Sequence, residues 1–82
     1  MNDDSATIRR VAVELAPQLH QSDLESVLEL LDHGEWGIAF EALCEQIHER
    51  GSRCKPEQVN DLLRVAMKLG VEISRFPILR RE

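Results

Sequence analysis

Apolar residues recur at helical spacing along most of this chain and divide it into four segments. Ile8, Val11 (or Ala12), Leu15 and Leu19 follow three- and four-residue steps, which predicts a first helix over about residues 5–15 with Ser5 as its N-cap. The first four residues are polar and expected to fray. Pro17 has no backbone N–H to donate, so the helix must end or kink near Ala16, with a short second turn up to His20. Leu24, Val27, Leu28 and Leu31 make the stripe of a second helix, with Leu30 on its flank. Ser22 and Glu25 stand three apart in the form of a capping box, so this helix is expected to open at Ser22. Gly34 stands where a left-handed terminating residue is needed, which stops the helix at Asp32 or His33.

A third helix follows almost at once, over about residues 35–50. Its predicted buried face is Trp36, Ala39, Phe40, Leu43 and Ile47, and Gly51 ends it. Trp36 can be read as a core anchor or as a partly exposed interface anchor. Gly37 weakens the first turn and is expected to allow close packing on the second helix. Pro56 suits the first position of a fourth helix. Val59, Leu62, Leu63, Ala66 and Leu69 form its stripe, with Val65 and Met67 to the sides, and Gly70 closes it. The tail VEISRFPILRRE has neither helical nor strand periodicity. Ser74 can cap a last short turn, and Phe76, Ile78 and Leu79 are expected to cover the open end of the core. The pattern predicts an all-α fold in one domain over residues 1–82: a compact bundle of four helices plus a short C-terminal helical or extended element.

Composition narrows the function classes. The net charge is −5, which speaks against a sequence-independent nucleic-acid binder, since such proteins need cations to neutralise phosphates. No segment reaches the roughly 20 apolar residues of a membrane span, and the acidic start MNDD is unlike a secretory signal. Two cysteines, Cys44 and Cys54, fit a reducing compartment better than a disulfide framework, so the expected location is cytoplasmic. Phosphate loops, CxxC, HExxH and Gly-x-Ser-x-Gly are all missing, and His20, His33 and His48 are scattered. No enzyme, no cofactor and no metal is expected. Cys44 and His48 lie one turn apart but lack the paired spacing of zinc ligands.

Charge placement is more informative than charge total. Residues 22–49 hold eight acids and no Lys or Arg, whereas residues 50–82 hold eight bases and four acids. Glu25, Glu29 and Asp32 form a row on the second helix, and Glu41, Glu45 and Glu49 a row on the third. Like charges at i, i+4 repel by a few tenths of a kcal/mol, and Asp32 and Glu49 also oppose the dipole at helix C-termini. One explanation is a solvated surface balanced across the fold by the basic C-terminal third. The other is a docking face for a basic partner, made of Asp32, Glu35, Glu41, Glu45 and Glu49, with Glu25 and Glu29 beside them. A reverse reading would have Arg75, Arg80 and Arg81 meet an acidic partner.

The centre LELLDHGEWGIAFEALCEQI, a short helix before it and the later PEQVNDLLRVAMKLGV together resemble the MafI-type immunity proteins of bacterial polymorphic-toxin and contact-dependent growth inhibition systems. The resemblance spans roughly residues 8–73 and is most specific at the centre. It implies a small all-helical cytoplasmic protein that binds a cognate toxin domain and blocks its active site or substrate surface. A nuclease-type toxin with a basic face would suit the acidic rows. Two rival readings come from other classes. One is a small helical transcriptional regulator using Arg64 and Lys68 of the fourth helix, against which Glu57 and Asp61 speak. The other is an interaction adaptor or homodimer pairing through Leu30, Ile38 and Val65.

Overall fold

In the computed structural model, which describes residues 3–79, four α-helices follow one another: α1 (Asp3–Glu14), α2 (Gln21–Asp32), α3 (Trp36–Arg50) and α4 (Pro56–Leu69). Single turns of 3-10 helix occupy Ala16–Gln18, Ile73–Arg75 and Pro77–Leu79, and the described residues contain no strand. The all-α bundle is therefore the fold, and the C-terminal element is helical rather than extended.

The helix starts differ from the sequence expectation. α1 begins at Asp3, not Ser5. Two acids in its first turn complement the positive end of the helix dipole, and Asp4 is nearly buried with Lys68 Nζ 3.2 Å from its carboxylate. α2 begins at Gln21, with His20 rather than Ser22 as N-cap. His20 Nδ1 accepts the Ser22 backbone N–H at 3.3 Å, and Ser22 Oγ lies 2.8 Å from the same nitrogen. The expected capping box does not form, because Ser22 lies inside the helix; Glu25 accepts from the Gln21 side chain at 3.3 Å. Ser74 does not cap a turn either. It lies inside the turn Ile73–Arg75, whose N-cap is Glu72, with no side-chain hydrogen bond there.

Pro17 acts as expected. α1 stops at Glu14 and the chain tightens into the turn Ala16–Gln18. Gln18 then locks the turn to the α3–α4 loop: its side-chain amide accepts the Arg53 N–H at 2.7 Å and donates to the Arg53 carbonyl at 3.0 Å. At the other end of α2, Gly34 has φ +77°. The Gly34 N–H donates to Leu31 O at 3.1 Å and the Glu35 N–H to Leu30 O at 2.8 Å, a Schellman closure that turns the chain straight into α3.

α1 packs on the other three helices, α2 and α3 form an antiparallel hairpin, and the C-terminal turns lie against both α3 and α4. Phe40 and Ile8 are fully enclosed, as are Leu43, Ile47 and Leu62 around them. Phe76 caps this core edge-on against Phe40, with ring centroids 5.6 Å apart, and Leu79 is buried beside it. Ile78 packs on the core from outside. The tail therefore closes the bundle, as its apolar residues suggest.

One helix face is turned from its predicted orientation. On α4 the buried side chains are Gln58, Leu62, Val65 and Ala66, while Val59, Leu63 and Leu69 are only half-buried. The periodicity puts Val65 on the flank and available for pairing, yet it is 1% exposed. The face turns because α4 packs on α1, where Gln58 finds a polar partner. Gly37 does not approach α2. A Cβ there would meet Leu69 of α4 at 3.5 Å, an ordinary contact. Trp36 packs half-buried against the core, between its two readings.

Candidate docking face on α2 and α3

The seven acids singled out by the sequence lie on the outside of the α2–α3 hairpin, all exposed except Glu41, which is half-buried. They are not electrostatically equivalent. Asp32 pairs with Arg9 of α1 at 2.6 Å. Glu41 pairs with Arg75 of the C-terminal turns at 3.2 Å, and the Arg75 guanidinium lies 5.3 Å from the Phe76 ring centroid. Asp23, an eighth acid of the same stretch, lies 3.8 Å from Arg50 at the end of α3. These pairs are at exposed or half-exposed sites, so each is worth at most about 1 kcal/mol. Their larger effect is to cancel charge at the edges of the hairpin.

Glu25, Glu29, Glu35, Glu45 and Glu49 have no ion-pair partner among the described residues. Glu35 is explained locally, because it is the N-cap of α3 and a carboxylate favours a helix N-terminus. That leaves two i, i+4 pairs, Glu25 with Glu29 on α2 and Glu45 with Glu49 on α3. The rows also diverge at their ends: Asp32 borders α1, whereas Glu41 borders the C-terminal turns. The acids without an ion-pair partner are thus Glu25 and Glu29 within α2 and Glu45 and Glu49 toward the C-terminal end of α3, rather than seven equal positions.

The bases of residues 50–79 are divided: Arg50 and Arg75 pair with the hairpin acids Asp23 and Glu41, whereas Lys68 pairs with Asp4 of α1 and Arg64 with Asp61 of α4. Arg10 of α1 bridges Glu14 and Asp61, and Asp61 also binds Arg64. The hydrogen bond from Arg10 is the main reason the Asp61 carboxyl is held below its ordinary range, and Arg10 is pushed up in return. Gln58 continues this ladder. It is 4% exposed, accepts the Lys55 N–H at 2.8 Å and donates to Glu14 at 2.9 Å, which lowers the Glu14 pKa further than Arg10 does. Sequence reading missed Gln58. The signal was there: a Gln at the third position of a helix opened by Pro, reaching back to the residue before it. Of the arginines in the reverse reading, Arg75 is committed to Glu41, while Arg80 and Arg81 lie outside the described residues.

Three surface clefts, of about 210, 340 and 360 Å³, lie away from the acidic rows. The first two are lined largely by the ladder and by the Lys68–Asp4 pair. Cys44 is buried, and desolvation pushes its thiol well above the usual range; Cys54 is half-buried and raised for the same reason. Among the described residues no three His, Cys, Asp or Glu side chains are placed to hold a metal ion, and no helix is long and apolar enough to cross a membrane.

No family model, curated protein or solved structure matches the chain. The fold class and the surface chemistry therefore define it: a small helical bundle with a segregated acidic face.

Proposed function

We propose that this chain is an immunity-type inhibitor, which binds a basic bacterial toxin domain through the outer side of α2 and α3 and does no chemistry of its own. One observation carries the reading. Glu25 with Glu29 and Glu45 with Glu49 repel along their helices, and none of the four forms an ion pair among the described residues. A basic partner would turn that repulsion into attraction. Nucleases present such surfaces, because they must neutralise phosphates. An acidic inhibitor would cover the same surface, and long-range attraction would speed its capture and disfavour wrong partners. The likeness of the centre LELLDHGEWGIAFEALCEQI to the immunity family supports the same conclusion, and the cytoplasm is where such an inhibitor acts.

The test is whether a basic toxin domain co-purifies with the chain from its native cells, followed by charge reversal. Glu45→Lys with Glu49→Lys is the informative pair, since Glu41→Lys would set a cation against Arg75 and disturb the tail. The double variant is expected to bind at least about tenfold more weakly and to lose salt dependence. Undiminished binding would remove this face from the proposal. A toxin domain that ignores the wild-type chain would remove the function.

A further inference from the structure

Three large apolar side chains stand exposed among the described residues: Val13 and Ile38, each 55% exposed, and Met67, 73% exposed. Their surroundings differ in sign. Val13 follows Arg9 and Arg10 by one turn, and Met67 follows Arg64 by one turn with Lys68 next to it. Ile38 stands between Glu35 and Glu41, one turn from each, with Glu45 two turns further along. Every other Leu, Val, Ile, Phe and Trp of residues 22–49 belongs to the core or packs against it. Ile38 is not part of that packing and stands more than half exposed. A β-branched residue is a poor choice on an exposed helix, and an apolar one in water has no reason to be kept for the fold.

We propose that Ile38 is the apolar anchor of the docking face, so that the partner is a basic protein surface with a protruding apolar side chain, seated on the α3 row Ile38, Ala42, Glu45 and Glu49. This rests on the proposed inhibitor reading and sharpens it. The four positions are spaced i, i+4, i+7 and i+11, which puts them on one side of α3. Ala42 between the isoleucine and the two carboxylates leaves room for a side chain to lie down. The arrangement separates two tasks: Glu45 and Glu49 attract a cationic surface from a distance, and Ile38 excludes water at contact. A second copy of this chain is the other partner with a ready apolar group in basic surroundings, at Val13 or Met67. Net charge disfavours it, since two copies at −5 repel.

Two labelled peptides test the anchor on the intact protein: an amphipathic Arg/Leu helix, and the same helix with Ser at each Leu. Wild-type protein is expected to bind the Arg/Leu peptide about tenfold more tightly than the Arg/Ser peptide, the effect of one buried aliphatic contact. Ile38→Ser should erase the difference, and Val13→Ser, with unchanged helicity as for Ile38→Ser, should preserve it. Equal binding of both peptides by the wild type, or an unchanged preference in Ile38→Ser, would overturn the anchor and leave the acidic face standing. Failure to bind either peptide at low salt would overturn the acidic face as well. Sedimentation of the protein alone supplies the remaining arm: self-association abolished by Ile38→Ser would replace the basic partner with a second copy.

Discussion

Arg10 and Gln58 show how single side chains hold the α1–α4 seam. Arg10 bridges Glu14 and Asp61, and Gln58 joins Glu14 to the first turn of α4. Both carboxyls are held below their ordinary range, chiefly by the bond from Arg10 for Asp61 and from Gln58 for Glu14. Their stabilisation is therefore present above the usual carboxylate range and is lost as pH falls through it and below. Melting temperature against pH should drop on the acid side, and Asp61→Asn should flatten that drop. Gln46 makes the opposite case. Its Oε1 is enclosed and has no hydrogen-bond partner among the described residues, an arrangement of the kind that costs about 1–3 kcal/mol. Gln46→Met is expected to raise stability by about 1 kcal/mol, or roughly 4–8 °C in melting temperature for a chain of this size. The cysteines give a third residue-level expectation. With both thiols pushed up by burial, Cys44 should react with a disulfide reagent only on unfolding and Cys54 slowly in the native state.

At the scale of elements, the hairpin depends on its turn and on the tail. Gly34 at φ +77° has open space where a Cβ would go, so Gly34→Ala would cost backbone strain alone, about 1 kcal/mol by denaturant melting. The tail matters more. Phe76 is 3% exposed, lies edge-on to Phe40 and carries Arg75 over its ring. Phe76→Ala should cost about 3–5 kcal/mol and release Arg75 from its place beside Glu41. Most helix limits are legible in the amino-acid pattern, because Pro17, Gly34, Gly51, Pro56 and Gly70 are punctuation that acts locally. The starts expected at Ser5 and Ser22 both fall earlier in the chain. Each serine is a strong capping residue, but both lie inside the helix: Asp3 and Asp4 already occupy the first turn of α1, and the His20 side chain caps α2 two residues before Ser22.

Across the whole molecule, charge and stability pull apart on α3. Replacing Glu45 by Lys would place a cation one turn from both Glu41 and Glu49 and exchange repulsion for attraction. Glu45→Lys is therefore expected to leave melting temperature unchanged or slightly higher while weakening capture of the toxin domain. Stability and binding moving in opposite directions is the mark of a site kept for a partner. A parallel loss of both would instead make these glutamates part of the fold. The docking residues are legible in the sequence only as a set. The rows of acids are visible in the spacing, but their partition into neutralised and uncompensated positions depends on Arg9 and Arg75, which are 23 and 34 residues away in the chain.

The sequence alone determined the number of helices, nearly all their ends, the acidic hairpin and the apolar tail that closes the core. These follow from period, punctuation and composition, which act within a few residues. Tertiary structure decided which side of α4 is buried, since α1 offers a partner for Gln58 there, and placed Val65 beyond reach of any partner. It also decided which of the acids have an ion-pair partner among the described residues and left Ile38 as the exposed apolar group among them. Pairing of distant charges and the rotation of a helix about its axis are settled only when the helices meet, because each is a relation between segments and not a property of either one.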